Sequence, residues 1–408
     1  MADPAEHRVL LQLIVIIAAT RGVAWLARRV GQAEVVGEML AGILLGPSLL
    51  GFFAPDVFSY VFAASNGPTF SGLAQLGLVL LMFQIGLDFE LSAVATARRT
   101  VALVSVLGIV VPFGLGSLTA IYFYDALPEP RPSITSFVLI FAVSMSITAL
   151  PVLGRIFAET GLAKHRAGAI AISAAAINDV IGWLLLGAVS LLIAGSFSIS
   201  WVVLRALGIC ALCGLAFYGV RPLVRRYFAA RDDRLEHGGI AIVLVLLFAC
   251  ALATSQLGLH ALIGGFILGV ALHQHRAFVV EWKTRISPLV NALLLPIFFA
   301  HTGLRTDVGV LGGGAELVQC ALICGIAFLG KYGGAYMGAR IAGEPARMAH
   351  VLAISMNTRG LMELVVLNIG YDLGILSKTL FTQLVYMALI TTLIATPLIR
   401  RYLRTELA

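Results

Sequence analysis

Thirteen mostly apolar stretches follow one another through the 408-residue chain, each near the roughly twenty residues that a helix needs to cross a hydrocarbon core. They run over 9–27, 35–51, 72–87, 100–124, 134–158, 167–194, 201–224, 239–255, 260–272, 287–303, 315–339, 348–371 and 380–399. In lipid every backbone N–H and C=O must be satisfied internally, so such runs form helices. Composition agrees: 12% of the residues are charged and 60% hydrophobic, against about 25% charged in soluble domains. Too few polar groups remain to cover a water-facing surface. A soluble enzyme, a disordered chain and a soluble domain on a membrane anchor are excluded. The expected fold class is an all-α polytopic membrane protein of about 13 transmembrane helices, embedded in the lipid bilayer, with no enzymatic site and no cofactor.

The net charge of +7 does not imply a nucleic-acid partner, because in a polytopic chain the placement of Lys and Arg carries the information. Nineteen of the 28 lie in the loops after the odd-numbered stretches, from Arg28 and Arg29 to Arg400, Arg401 and Arg404. Only Arg8, Arg131, Arg305 and Lys378 fall on the other side, and Arg21, Arg155, Arg205, Lys331 and Arg359 lie within spans. The alternation predicts an N-terminus outside, a C-terminus in the cytoplasm and a multi-pass protein of a bacterial inner membrane. A chain ending at Ala408, close behind its last span, is expected to carry no built-in cytoplasmic nucleotide-binding domain. The cysteine pair Cys210 and Cys213 sits in an apolar run without a second CxxC or a His pair, and reads as packing rather than metal binding.

Two spans have polar, helix-breaking centres. The fifth reads Ser144-Met-Ser146-Ile-Thr148-Ala-Leu-Pro151, and the twelfth Ser355-Met-Asn357-Thr358-Arg359-Gly360. Either alone could be a packing kink. Together, seven spans apart, they predict an inverted repeat of helices four to six and eleven to thirteen with two crossed broken helices, the arrangement in which transporters build midplane ion sites. Asp179 follows Asn178 about twelve residues into the sixth span, roughly 18 Å deep at the helical rise. An ionised carboxylate there costs about 2.5–3.5 kcal/mol, which marks it as functional. A carboxylate that takes a cation or a proton, never both, couples their movements. Lys331 in the eleventh span is its expected counter-charge; whether it carries a proton or serves as a fixed counter-ion stays open.

Pro151, Asn357, Thr358, Arg359 and Glu363 are the expected helix-break and gating residues; Arg359 and Glu363 share a helical face, and read as a structural pair or as compensating helix dipoles and stabilising a gate. Arg155 and Glu159 have the same spacing. Glu34, Glu38, Asp88 and Glu90 read as solvated or paired interfacial charges, with a cation funnel as the alternative. His273 and His275 read as interfacial, and His301 as packed.

Across the whole chain the sequence resembles the monovalent cation/proton antiporter superfamily, in its Kef-type, spore-germination and plant cation/H+ exchanger branch. The resemblance rests on Val36-Gly-Glu38 through Gly46-Pro47, Leu80 through Asp88, Ser146-Ile-Thr148-Ala-Leu-Pro-Val-Leu, Asn178-Asp179, Gly258-Leu-His260 through Phe266, Pro296 through Leu304, and Met356 through Glu363. It implies a homodimer and a mobile core moving against a scaffold, here 100–194 and 315–399 against 9–87 and 239–303, with 201–224 as linker. It further implies cation and proton binding at Asp179 with Thr148, Ser146 and Asn178. The Asn-Asp pair is associated with electroneutral exchange, although a lysine matching Lys331 is common in electrogenic members. Some relatives place a serine four residues before the aspartate, where this chain has Ala175, with Ser173 six before.

The expected function is secondary active exchange of Na+ or K+ for H+ by alternating access. A cation-coupled symporter or channel of related fold, or a non-transporting membrane sensor, are the alternatives, and the residues leave Na+ and K+ both open.

Overall fold

The computed structural model describes residues 4–47, 49–62, 68–88, 97–125, 127, 130–162, 165–193, 199–229, 237–257, 261–304, 306 and 313–404. Glu90, Lys164, Arg231, Arg234, His260 and Arg305 lie outside them, as do the side chains of Pro151 and Glu159. The described chain is helical: α1 (Pro4–Arg29), α2 (Glu34–Leu45), α3 (Leu50–Phe53), α4 (Pro55–Phe62), α5 (Pro68–Asp88), α6 (Arg98–Tyr124), α7 (Ile134–Ser146), α8 (Leu150–Thr160), α9 (Arg166–Ile193) and α10 (Ile199–Gly214). After a π-helical turn at Leu215–Val220 come α11 (Arg221–Ala229), α12 (His237–Gln256), α13 (Ala261–Leu272), α14 (Arg276–Arg285), α15 (Ser287–Leu289), a second π turn at Val290–Leu294, and α16 (Leu295–Gly303). The chain closes with α17 (Gly314–Ile341), α18 (Ala346–Ser355), α19 (Leu361–Asp372) and α20 (Lys378–Arg404).

Among the described residues, 9 helices are long and apolar enough to cross a membrane, and a tenth crossing follows if α14 and the segment Ser287–Gly303, bent by 41°, count as one. Length alone therefore stops short of the thirteen expected. The fifth and twelfth stretches are present but divided, into α7 plus α8 and α18 plus α19. The ninth, α13, has 12 residues, about 18 Å at the helical rise, against a core of about 30 Å. Large apolar side chains stay exposed along the long helices, for example Val245 and Leu252 on α12 and Leu329 on α17, as surfaces facing acyl chains require.

The chain divides into two compact units. One comprises 1–67, 91–182 and 299–408 and holds both divided spans. Here α17 packs along α6 through Gly330, Gly334 and Gly338. A Cβ at Gly334 would stand 2.2 Å from the Leu107 carbonyl oxygen, and one at Gly338 2.5 Å from that of Leu103, so the two backbones touch and only glycine fits. Small residues at four-residue spacing are how helices associate in lipid, where no hydrophobic force drives them together.

The second unit comprises 68–90 and 183–298. In it α13 lies between α5 and α12. An aromatic cluster of Phe83, Phe228, Phe278 and Trp282, with centroids 4.8–6.3 Å apart, anchors α11 and α14 to α5. Lys283 of α14 pairs with Asp88 at the end of α5.

Candidate functional site

The backbone leaves helical geometry where the sequence places its polar centres. Helix α7 ends at Ser146, and Ile147 and Ala149 are extended before α8 begins. Pro151 falls in the first turn of α8, where its missing N–H removes nothing that would have been bonded. On the other side α18 ends at Ser355, and Gly360, at φ 154°, starts α19. That conformation strains an L side chain, and a Cβ there would stand 2.7 Å from Val152, so the second break is glycine-dependent.

The breaks meet. The Ala149 N–H donates to the Thr358 carbonyl at 3.0 Å, and the Thr148 hydroxyl to the Met356 carbonyl at 2.9 Å. Each interruption thus satisfies part of the backbone that the other leaves open, as buried polar groups require.

The carbonyls at the C-terminal end of α7, the negative end of its dipole, are taken by two cations from elsewhere. Arg359 donates to the Ser144 carbonyl at 2.8 Å and the Met145 carbonyl at 2.7 Å, and lies 3.4 Å from the Glu363 carboxylate. Lys331 of α17 donates to the Ser146 carbonyl. Arg359, Glu363 and Lys331 are fully buried. The guanidinium thereby compensates the dipole of α7 while its own partner carboxylate sits one turn along α19. Lys331 is hydrogen-bonded to backbone and stands within electrostatic reach of Asp179, Glu363 and Arg359 rather than clasped to one carboxylate.

Asp179 lies on α9 with 2% exposure, and the Leu150 N–H at the start of α8 points to its carboxylate. Its Oδ1 has no hydrogen-bond partner. Beside it, Asn178 reaches the Thr148 hydroxyl at 3.5 Å through its amide nitrogen, leaving its own oxygen unpartnered. Ser355 Oγ, Asn357 Oδ1 and Glu363 Oε2 are likewise buried without a partner among the described residues. Buried acceptors are almost always bonded. Unpartnered carboxylate, amide and hydroxyl oxygens are hard donors of the kind that monovalent cations and protons seek.

The structure therefore gathers Asp179, Asn178, Thr148, Ser146, Lys331, Arg359 and Glu363 around one crossing. Some sequence-predicted residues serve it locally. The Ser146 hydroxyl bonds back to Ala142 at 2.6 Å, so its carbonyl and not its side chain faces Lys331. Asn357 and Thr358 side chains bond their own helix at Ala353 and Ser355. Ser173, likewise, bonds Ala169.

Two contributors escaped the sequence reading. Thr392 of α20 accepts from the Arg359 N–H at 2.8 Å and sits 3.0 Å from its carbonyl, fixing the backbone of the second break. Its only trace in the sequence is a Thr-Thr pair in an apolar span. The other is the Leu150 N–H, invisible as a side chain.

Several other charges form pairs. Glu38, fully buried, receives Arg155 at 2.8 and 3.2 Å, with Arg21 at 3.9 Å. Glu34 receives Arg28 at 2.7 Å and Arg155 at 3.7 Å. His273 bonds the Val270 carbonyl, and His301 is half-buried with partners of its own. At the loop between α17 and α18, Glu344 receives Arg166 at 2.7 Å and Thr100 at 2.8 Å, and these hydrogen bonds, the arginine's first, hold its carboxyl below the ordinary glutamate range.

Residues 14–405 match a family described as sodium/hydrogen exchanger, transmembrane. The Na(+)/H(+) antiporter NhaS4 of Synechocystis is 35% identical over 398 residues, covering 96% of this chain and 96% of that protein. Cation/H(+) antiporter 18 of Arabidopsis thaliana is 34% identical over 405 residues, covering 97% of this chain and 49% of that protein, so the chain spans about half the length of its plant relative. Among solved structures, the sodium proton antiporter MjNhaP1 from Methanocaldococcus jannaschii superposes with a TM-score of 0.68 over 99% of this chain and 98% of its own, at 16% identity. At that identity the likeness concerns the fold.

Proposed function

The chain belongs to the sodium/hydrogen exchanger family, and from that premise we propose that it exchanges a monovalent cation, Na+ or K+, for H+ across a bacterial inner membrane, with Asp179 carrying either one in turn. The observation that carries this reading is the buried Asp179 carboxylate with an unpartnered oxygen beside the crossing of two broken helices. Asn178 and Thr148 supply neutral oxygens, and the open acceptors of the second break extend the donor set. Competition for one carboxylate is sufficient for coupling. Asn178 adds no second carboxylate charge, which favours one cation per proton, while Lys331 leaves electrogenic exchange open.

Lys331 acts as a counter-charge within the site. Its hydrogen bond to the Ser146 carbonyl supports that role. We assign helices of 100–194 and 315–399 to the moving core and those of 9–87 and 239–303 to a scaffold that pairs two copies, with 201–224 linking them. The loops rich in Lys and Arg face the cytoplasm. The cation bound is cargo, and the residues named need no resident cofactor.

The test is cation-induced dequenching of a pH dye in proteoliposomes, titrated separately with Na+ and K+, for the wild type and Asp179→Asn. Dequenching by the wild type and silence from the variant is the expected result, and the two apparent affinities identify the cargo. Equal responses from both remove Asp179 from the mechanism and return the channel, symporter and sensor readings.

A further inference from the structure

The second unit carries a cationic cleft that antiport does not use. About 650 Å³ in volume, it opens where α11 meets the junction of α13 and α14, and is lined by Arg221, Arg225, Gln274, His275 and Arg276 together with Leu272. Ligand pockets commonly measure about 300–1,000 Å³. Arg221 and Arg225 are four residues apart and share a face of α11. Arg221 is aimed across the cleft by its hydrogen bond to Gln274. Among the described residues neither Arg225 nor Arg276 meets a carboxylate; Glu281 is paired with Arg285 at 2.7 Å and Asp88 with Lys283.

Guanidinium groups cannot relieve mutual repulsion by releasing protons. Three of them around one cleft therefore hold a lasting positive potential that an anion would neutralise. The π-helical turn Leu215–Val220 directly precedes Arg221. Such turns are frequent at functional sites. The first turn of α14 has no side-chain cap and adds its N–H dipole at the same place.

The shape of the guanidinium fork selects phosphate oxygens, which it can grip in pairs. The surroundings select a lipid as their source. Leu272 contributes an apolar wall, and Leu215, Tyr218 and Leu223 on the adjoining helical run are 61%, 88% and 62% exposed, as side chains facing acyl chains and headgroups are. The same arginines are among the Lys and Arg that, on the orientation proposed above, place this end of the helices at the cytoplasmic leaflet, where basic pockets between helices hold anionic headgroups. We propose that this cleft binds the phosphate of an anionic phospholipid of that leaflet, with Arg221, Arg225 and Arg276 as its ligands.

The experiment uses the purified full chain in neutral detergent, with phosphatidylglycerol and phosphatidylcholine titrated separately and retained lipid counted by native mass spectrometry. Phosphatidylglycerol should be retained in preference, and Arg225→Gln combined with Arg276→Gln should weaken it about thirtyfold, from about five- to sixfold per guanidinium. The charge-preserving pair Arg225→Lys and Arg276→Lys should fall between, since it keeps the charge and loses the fork; it also serves if the neutral pair does not fold. Arg226→Gln, outside the cleft on the same helix, should leave retention unchanged. Equal phosphatidylglycerol affinity in the wild type and the neutral pair overturns the proposal, as does an Arg226→Gln loss as large as that of the neutral pair. Inorganic pyrophosphate is the second arm. Binding that the neutral pair abolishes, without any preference for phosphatidylglycerol, overturns the lipid assignment in favour of a soluble phosphate ester.

Discussion

Replacing Arg359 by Gln should be the most damaging single polar substitution at the crossing. The guanidinium makes two short hydrogen bonds to buried carbonyls, at 2.8 and 2.7 Å, and approaches Glu363 at 3.4 Å. Hydrogen bonds to a charged group contribute about 1.5–3 kcal/mol each, which would suggest about 3–6 kcal/mol for the pair. In lipid the unfolded helices also find partners, and measured interhelical bonds average only about 0.6 kcal/mol with a maximum of about 1.7. Those two bonds alone are then worth about 1–3 kcal/mol. The larger contribution is the Glu363 carboxylate, left buried without its cation, and breaking a buried pair on one side costs about 3–5 kcal/mol. Arg359→Gln should therefore lose about 4–6 kcal/mol of unfolding free energy, allowing for overlap between the two contributions. Glu363→Gln should lose clearly less, because Arg359 keeps its carbonyl partners. The double variant should be more stable than Arg359→Gln alone, since no carboxylate is stranded. Unfolding in mixed detergent–SDS micelles, followed by tryptophan fluorescence and circular dichroism, measures all three. A double variant no more stable than Arg359→Gln, or a Glu363→Gln loss equal to that of Arg359→Gln, would refute this account.

Thr148→Val should fold normally and raise the half-saturating cation concentration about fivefold, the equivalent of about 1 kcal/mol for one hydroxyl, read by the same dequenching titration; an unchanged value removes the hydroxyl from the site. Gly334→Leu should prevent assembly of the first unit, because its side chain meets the Leu107 backbone, and a monodisperse peak of normal yield on size-exclusion chromatography would contradict that contact. Gly360→Ala adds strain of about 1–3 kcal/mol to a clash with Val152, and should lower thermal stability more than Gly314→Ala, whose Cβ meets open space. Glu344 gives a pH dependence. Its folded carboxyl titrates below the unfolded value of about 4.3, so its stabilisation is complete above the unfolded value and disappears as pH falls through the folded one. With Arg166 61% exposed, it amounts to about 1 kcal/mol or less. The melting difference between the wild type and Glu344→Gln should be constant from pH 8 to about 5 and close below about 4; a difference unaffected by acid excludes the ion pair as its cause.

What the sequence makes legible is what repeats locally. Apolar runs mark the helices, and Ser144 to Pro151 and Ser355 to Gly360 mark the two divisions, because a helix breaks where its residues compete with the helical ladder. The Arg359–Glu363 pair is readable for the same reason, being one turn long. The partners of Arg359 at Ser144 and Met145, of Lys331 at Ser146 and of Arg155 at Glu38 are not readable. They depend on which helices cross and at what height, and backbone carbonyls carry no letter. The span count suffers from a related limit. A segment divided into two short helices, or one as short as α13, satisfies a hydropathy window and fails a length criterion, so composition counts it and geometry does not.

The bonds between the two breaks also impose an order on the protein's making. Thr148 and Met356 are 208 residues apart in the chain, and Ser144 and Arg359 are 215. At about 5–20 residues per second, a ribosome takes about 10–40 s between delivering the first member of each pair and the second. Throughout that interval the first break must sit in, or beside, the membrane with its carbonyls facing no mate. The nascent N-terminal half is therefore a natural client for the insertion machinery, which has to shelter an unfinished polar seam until the second break emerges to close it.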